Sequence, residues 1–360
     1  MIEFRENTKD KLLLGALLGL AIITSIHSHS MVWKEWYYPT YGNTNVHVAF
    51  AQHMLTHGEY PLHNDYSYGG GIPALYVPGY RLLLAGTAFV TQNIDFAQRL
   101  LVMLFAVMLP IGFFLFAREL FGDFAGLAAA FFASLPAELL IYTVRPLPQG
   151  LGLVLLPFAF YAIAANKRKT ALVLTLAIAL VHQETIAFLA AGAFAFAFLK
   201  TIANAVETRK IALPSASAWT ALLCWALALV SYVGWHYFAT GNANVFGIAQ
   251  FTNHEGNPVE FDLFKEKNGL VITAGGVLGF VILAARNFTK PNEKELLLLA
   301  LALTGFAFIK NDLVGVRVFM DRFIVFMQIP LVVLSAFALK EIADYALHFD
   351  WKSIFPRPSS

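Results

Sequence analysis

The sequence predicts an all-α, polytopic membrane protein, and three observations carry that prediction. Apolar residues make up 58% of the 360 residues and charged residues only 13%, far to the apolar side of a water-soluble domain. The mean hydropathy is +0.63. The apolar residues also come in long unbroken blocks rather than in stripes. A backbone in hydrocarbon must satisfy its own hydrogen bonds, and blocks of about 20 residues suit helices, whereas a barrel needs alternating strands of roughly 10.

Ten blocks read as spans: 12–30, 100–117, 124–142, 148–166, 170–183, 185–204, 217–239, 269–286, 295–310 and 322–340. Arg5, Lys9 and Lys11 precede the first block as they would in a secretion signal. No small-residue cleavage pattern follows, so the block is kept as the first span. A further block, 79–91, is short for a crossing and begins Pro78-Gly79, so it is expected to be an interfacial or re-entrant helix. Counting it as a span would invert everything downstream.

Positive charge decides the orientation, because cytoplasmic loops collect Lys and Arg. With ten spans and the N-terminus inside, 16 of the 25 basic residues fall on the cytoplasmic face, among them Lys167, Arg168 and Lys169. Both termini are then cytoplasmic. The outer face receives the loops 31–98, 143–148, 240–268 and 311–321 and the short tip at Glu184. The chain therefore reads as one transmembrane domain, 1–360, with a large first extracytoplasmic loop at 31–98 carrying interfacial helices and a second large one at 240–268.

Several function classes are excluded or weakened. A net charge of +2, scattered along the chain, gives no footprint for nucleic acid. The one cysteine, Cys224, lies inside an apolar block and is a small filler. Asn287-Phe288-Thr289 fits a glycan acceptor but falls on the inner face. There is no internal repeat.

Four polar constellations stand out. In the first loop Val46, Ala49, Phe50 and Met54 recur at helical spacing, so Asn43, Asn45 and His47 open an amphipathic helix whose N-terminus suits a phosphate or carboxylate. Ordinary capping by Asn43 or Thr44 is equally compatible. Arg145 and Gln149 flank Pro146 and Pro148 at an outer turn, where the arginine either binds an anion or reaches up to the interface. Arg317 and Arg322 bracket Asp321 at the mouth of the last span and either grip a phosphate or pair with that carboxylate. His182-Gln183-Glu184 joins two short spans, and ionisable groups at that depth mark function by default.

Nine of the ten histidines fall on or near the outer face, either as a functional cluster or because those loops are long. His27 and His29 read as a polar cap on the first span. His53 and His57 are four apart on one helical face, and with His47 they are the candidate metal ligands, though no third ligand completes a zinc-type spacing. Trp33, Trp36, Tyr37, Tyr38, Tyr41, Trp235 and Tyr237 read as the interfacial aromatic belt.

Taken together these residues resemble the GT-C class of integral-membrane glycosyltransferases, which includes protein mannosyltransferases, aminoarabinose transferases and the catalytic subunit of oligosaccharyltransferase. Asn43-Thr44-Asn45-Val46-His47 stands where that class has an acid followed by a helix opening Asp-Thr-x-x-His. Gly58-Glu59-Tyr60-Pro61, Tyr68-Gly69-Gly70-Gly71 and Val77-Pro78-Gly79-Tyr80 are similar to the rest of its first loop, and Arg118-Glu119-Leu120-Phe121-Gly122 to its inner turn. The resemblance covers about 10–200, and 310–340 more weakly. It implies transfer of a sugar from a polyprenyl-phosphate carrier to an acceptor at the extracytoplasmic face of the cell membrane. It also implies a loop carboxylate as base or metal ligand, and a late arginine on the lipid phosphate.

The sequence departs from that pattern at two positions, since Asn43 and Gln149 are amides where acids are expected. A replacement acid is then sought in Glu59, Asp65, Glu184 or Glu255, or a base in His47 or His182. The expected roles are Asn43 and His47 at the acceptor or a divalent metal, Glu59 or Asp65 as the acid, His182 and Glu184 lining the cavity, and Arg145, Arg317 and Arg322 on phosphate. At 360 residues without a large soluble C-terminal domain, a small or lipid acceptor is expected. The rivals are a catalytically inactive partner subunit, which the two amides favour, and a transporter or flippase of lipid-linked sugars, which the clean spans disfavour. The glycosyltransferase reading requires polar segments distant in the chain to meet in one pocket.

Overall fold

The computed structural model describes residues 8–34, 44–65, 71–74, 76–209, 214–241, 258–315, 317 and 319–348. Fourteen helices lie among them: α1 (Thr8–His29), α2 (Thr44–His57), α3 (Gly79–Thr91), α4 (Ile94–Phe121), α5 (Asp123–Phe132), α6 (Ala137–Val144), α7 (Pro148–Ala164), α8 (Arg168–Val181), α9 (Gln183–Thr208), α10 (Ala216–Thr240), α11 (Phe261–Asn268), α12 (Leu270–Thr289), α13 (Glu293–Ile309) and α14 (Ile324–His348). One short antiparallel ribbon pairs His63 with Pro73 and Asn64 with Ile72 in the first loop.

Helices occupy all ten apolar blocks, but by length and composition they are not ten clean crossings. Six helices are long and apolar enough to span a membrane (α1, α4, α9, α10, α12 and α14), and α5 with α6 makes a seventh if that bent pair is one span. The pair turns by 70° because Pro136 has no N–H to continue the ladder and disfavours helical backbone at Leu135. α8 has 14 residues, which at 1.5 Å per residue is only about 21 Å against a hydrocarbon core of about 30 Å. Its C-terminus therefore brings polar groups into the interior of the bundle. The block at 79–91 is the separate short helix α3.

Helix association in hydrocarbon relies on shape rather than on expulsion of water, and the centre of this bundle is an aromatic chain. Phe188 on α9 meets Phe160 on α7 at 6.1 Å, Phe308 on α13 at 5.9 Å and Phe326 on α14 at 5.5 Å between ring centroids. Phe160 meets Phe116 on α4 at 5.9 Å. Single polar links tie the helices at their margins. Ser335 Oγ donates to the Ile272 carbonyl at 3.0 Å, Lys267 pairs with Glu138, and Thr220 Oγ1 donates to Asn166 Oδ1 at 3.1 Å.

The helix that matters most for the site, α3, is held by a missing side chain. A Cβ at Gly79 would sit 2.6 Å from the Leu180 carbonyl oxygen, so only glycine lets the start of α3 close onto the end of α8. Tyr80 and Arg81 follow at once, and both are buried. Gly79→Val should therefore cost about 1–3 kcal/mol through overpacking, read as a lowered thermal-unfolding midpoint of the detergent-solubilised protein. Gly86→Val, on the same helix but facing open space, should leave the midpoint unchanged.

Candidate functional site

A cavity of about 290 Å³ opens at the end of the bundle where α8 and α6 end and α7, α9 and α14 begin. It is lined by His47 from α2, Tyr76 from the first loop, Tyr142, Arg145 and Gln149 from the α6–α7 turn, His182 and Glu184 from the α8–α9 junction, and Arg322 ahead of α14. Residues up to 275 positions apart in the chain thus share one wall, as the difference between 322 and 47 gives.

The local sequence explains each arm. Arg145 and Leu147 are extended, with ψ of 134° and 154°. The residue before a proline avoids helical backbone, and Pro148 at the first position of α7 needs no donor. His182 is extended as well, ending α8 and capping α9. Gly152 lets α7 approach that junction, because a Cβ there would lie 2.6 Å from Thr185 Oγ1.

Both cavity imidazoles are neutral donors. Arg81 Nε donates to His47 Nδ1 at 3.2 Å, and the Thr185 backbone N–H donates to His182 Nδ1 at 3.3 Å. A nitrogen that accepts carries no proton, so in His47 the proton sits on Nε2, and the same tautomer follows for His182 with the Thr185 hydroxyl, 2.9 Å from its Nδ1, as a second donor. Burial pushes the His47 imidazole down to about 3, and the Arg81 guanidinium and His182 push the same way. Burial, then Glu184, pushes the Tyr76 phenol up to about 12, so it too keeps its proton. Edge contacts from Tyr76 at 5.3 Å and Tyr80 at 5.7 Å clamp the His47 ring.

The charged members complete the wall. Arg322 Nη1 lies 3.9 Å from Glu184 Oε1, and the Arg145 guanidinium lies over the Tyr142 ring at 5.6 Å. The Gln149 amide nitrogen and Glu184 Oε2 are buried without a hydrogen-bond partner among the described residues. The cavity therefore offers cations, N–H donors and one carboxylate, a set that suits a phosphate beside a proton acceptor.

Not every expected residue joins it. Asn43 and Glu255 lie outside the described residues. Glu59 is exposed, and Asp65 is exposed and paired with His63 at 2.6 Å; neither lines the cavity. Arg317 sits in the exposed turn before α14 with φ of +48°. His53 and His57 stack on each other at 4.3 Å at the open end of α2, away from the buried His47. α2 buries Thr44, His47, Phe50 and Ala51, so of the stripe Val46, Ala49, Phe50 and Met54 only Phe50 is fully buried, and the inward face is turned toward His47. His29 is no interfacial cap: it is fully buried and bonds Thr143 across helices at 2.9 Å.

The donors present among the described residues do not fit a divalent metal. Among the described residues no group of three or more His, Cys, Asp or Glu side chains is disposed to hold one. His47 Nδ1 is engaged by Arg81, His182 Nδ1 by Thr185, and Glu184 faces Arg322.

Sequence reasoning missed Arg81, Tyr76 and Tyr142. The signal for Arg81 was a charge two residues into an apolar helix; its partners His47 and Tyr60 are 34 and 21 residues away.

No protein-family model and no curated protein sequence matches the chain. Solved structures do. The chain is similar to the archaeal oligosaccharyltransferase AglB from Archaeoglobus fulgidus in complex with an inhibitory peptide and a dolichol-phosphate, with a TM-score of 0.70, 12% identity, and coverage of 98% of this chain and 53% of that one. It is also similar to ArnT from Cupriavidus metallidurans bound to undecaprenyl phosphate, with a TM-score of 0.63, 14% identity, and coverage of 92% and 60%. A third structure, the Archaeoglobus fulgidus oligosaccharyltransferase in complex with Zn and sulfate, aligns with a TM-score of 0.58, 13% identity, and coverage of 93% and 50%. The chain thus spans about half the length of the oligosaccharyltransferase it resembles, and its fold is that of the GT-C membrane glycosyltransferases.

Proposed function

We propose that this chain is a membrane glycosyltransferase that takes a sugar from a polyprenyl-phosphate carrier, with the cavity at 47–322 as its site. The observation that carries the reading is the convergence of Arg145, Arg322, the Gln149 amide and two Nε2–H imidazoles beside the Glu184 carboxylate, in a chain with a GT-C fold. In the proposed reaction an acceptor hydroxyl attacks the anomeric carbon and its proton passes to Glu184. The bond from that carbon to the phosphate oxygen breaks, and the departing polyprenyl phosphate keeps the electron pair. Arg322, Arg145 and the imidazole donors stabilise the charge that grows on it.

The extracytoplasmic placement of the cavity rests on charge. Lys167, Arg168 and Lys169 lie at the far ends of α7 and α8 from the cavity, and α14 runs away from it to His348. Basic turns favour the cytoplasmic side, which supports cytoplasmic termini and an outward-facing site.

A second reading, a partner subunit that holds the lipid-linked sugar without transferring it, is favoured by Gln149, whose amide nitrogen takes no proton. One assay separates the two: incubation of the detergent-solubilised chain with polyprenyl-phosphate sugars and simple acceptors, following release of polyprenyl phosphate. Turnover supports the enzyme. Binding without turnover, with turnover appearing in Asn43→Asp/Gln149→Glu, supports the partner; failure to bind any polyprenyl phosphate overturns both.

A further inference from the structure

We propose, resting on the lipid-phosphate reading above, that Arg81 stands in for a divalent cation: its guanidinium supplies a fixed positive charge through His47, and the site binds polyprenyl phosphate without metal. Arg81 is only 3% exposed. Its Cζ stands over the Phe50 ring, 3.6 Å from the centroid, and it donates from Nε to His47 Nδ1 at 3.2 Å and from Nη1 to the Tyr60 hydroxyl at 2.8 Å. Tyr60 in turn donates to the Tyr76 carbonyl at 3.3 Å. These partners are neutral, and no ion pair with a carboxylate forms among the described residues. A buried charge without a counter-ion is costly, and it persists where something anionic completes it.

His47 is the connection between Arg81 and the cavity. A cationic donor on Nδ1 fixes the imidazole in one tautomer, leaves Nε2–H as the only polar group the ring can present, and polarises that N–H towards an anion. Metals want the opposite of what is here. Zinc takes the lone pair of a neutral imidazole nitrogen, and magnesium, manganese or calcium takes carboxylate oxygens. In this cavity both imidazole Nδ1 atoms are engaged, the carboxylate faces Arg322, and two guanidiniums, Arg145 and Arg322, line the space a dication would enter, with Arg81 behind His47. Arg81 acts through His47, so it is a positioning residue.

The test is equilibrium binding of farnesyl phosphate to the detergent-solubilised full chain, measured in excess EDTA and again with added Mn²⁺ or Zn²⁺. Wild-type affinity should be the same in all three to within about twofold. Arg81→Met should weaken it by about 10- to 100-fold, the effect of a charge-assisted hydrogen bond. Arg81→Lys, which keeps the charge but loses the planar fork, should fall between the two.

The pH profile separates positioning from scaffolding. The groups facing His47 are Tyr80 and Arg81 from α3, Tyr76 from the loop and His182 from the α8–α9 junction, with Tyr60 behind Arg81 and Glu184, Arg145 and Arg322 around the cavity. With Nδ1 released in Arg81→Met, His47 can take a proton. Burial, the larger cause of the lowered pKa, remains in the variant, so affinity relative to wild type should rise only as pH falls below the ordinary imidazole range, and Arg81→Met/His47→Gln should not show the rise.

Wild-type binding lost in EDTA and restored by metal sinks the inference and leaves the proposed function standing. So does Arg81→Met binding as tightly as wild type. No binding by the wild type under any condition ends both. Thermal unfolding identifies a variant that has not folded, and the chelator arm on the wild-type chain needs no variant at all.

Discussion

Glu184→Gln should reduce sugar transfer by about 10²- to 10⁴-fold, the range removed with a general base, while leaving the binding of polyprenyl phosphate intact or slightly tighter. Glu184 is the only carboxylate among the described residues that lines the cavity. It stands in the first turn of α9, where N–H groups without intrahelical partners favour an anion. Oε1 looks to Arg322 at 3.9 Å and Oε2 is buried without a partner, so one oxygen is held and the other is free to meet an acceptor proton. The imidazoles are poorer candidates for that proton. Their Nδ1 atoms are occupied and their Nε2 atoms already carry hydrogen, so in place they donate. Glutamine keeps the size of Glu184 and one acceptor oxygen but cannot take a proton. It also removes a negative charge beside the phosphate, hence the unchanged or tighter binding. Transfer persisting at the wild-type rate in Glu184→Gln would remove Glu184 from the reaction and return the search to Glu59, Asp65 and Glu255. His47→Gln, by contrast, should weaken binding and turnover together.

What the sequence disclosed, and what it hid, follows from the range of the interactions involved. Long apolar blocks are a local signal, and they foretold the helical fold and the separate short helix at 79–91. The number of full crossings was less legible, because block 124–142 looks continuous in hydropathy although Pro136 breaks it by 70°. The cavity members His182, Glu184, Arg145, Gln149 and Arg322 stood out as polar residues at the ends of apolar blocks, where a cost must be offset by a use. Glu59 and Asp65 drew attention through resemblance to a family loop, yet they face solvent; nothing in a loop of mixed polarity distinguishes the inward side. Arg81 was not among the residues singled out. Its meaning lies in contacts with His47 and Tyr60, on segments that sequence spacing does not bring together. His29, similarly, seemed a cap on α1 until Thr143 was found against it.

The other large effect concerns the mouth of the cavity. Arg322→Met should weaken the binding of polyprenyl phosphate by on the order of 100-fold, from the loss of a charge-assisted hydrogen bond and the uncovering of Glu184, which then repels the phosphate. The arginine is well placed for that role. Its side chain is 49% exposed, so it reaches both water and the cavity, and its guanidinium stands 5.0 Å over the Phe319 ring. Arg322→Lys should recover part of the affinity but not the two-pronged geometry. The double variant Arg322→Met/Glu184→Gln decides whether the two parts of the argument are coupled. If uncovering Glu184 matters, the double variant should bind more tightly than Arg322→Met alone, and the cycle should show a non-additive term. Arg317 carries the same charge five residues earlier in an exposed turn and does not line the cavity, so Arg317→Met should change affinity less than about twofold. Equal losses from the two arginines would mean that net positive charge at this end of the bundle, rather than the constructed pocket, captures the lipid phosphate.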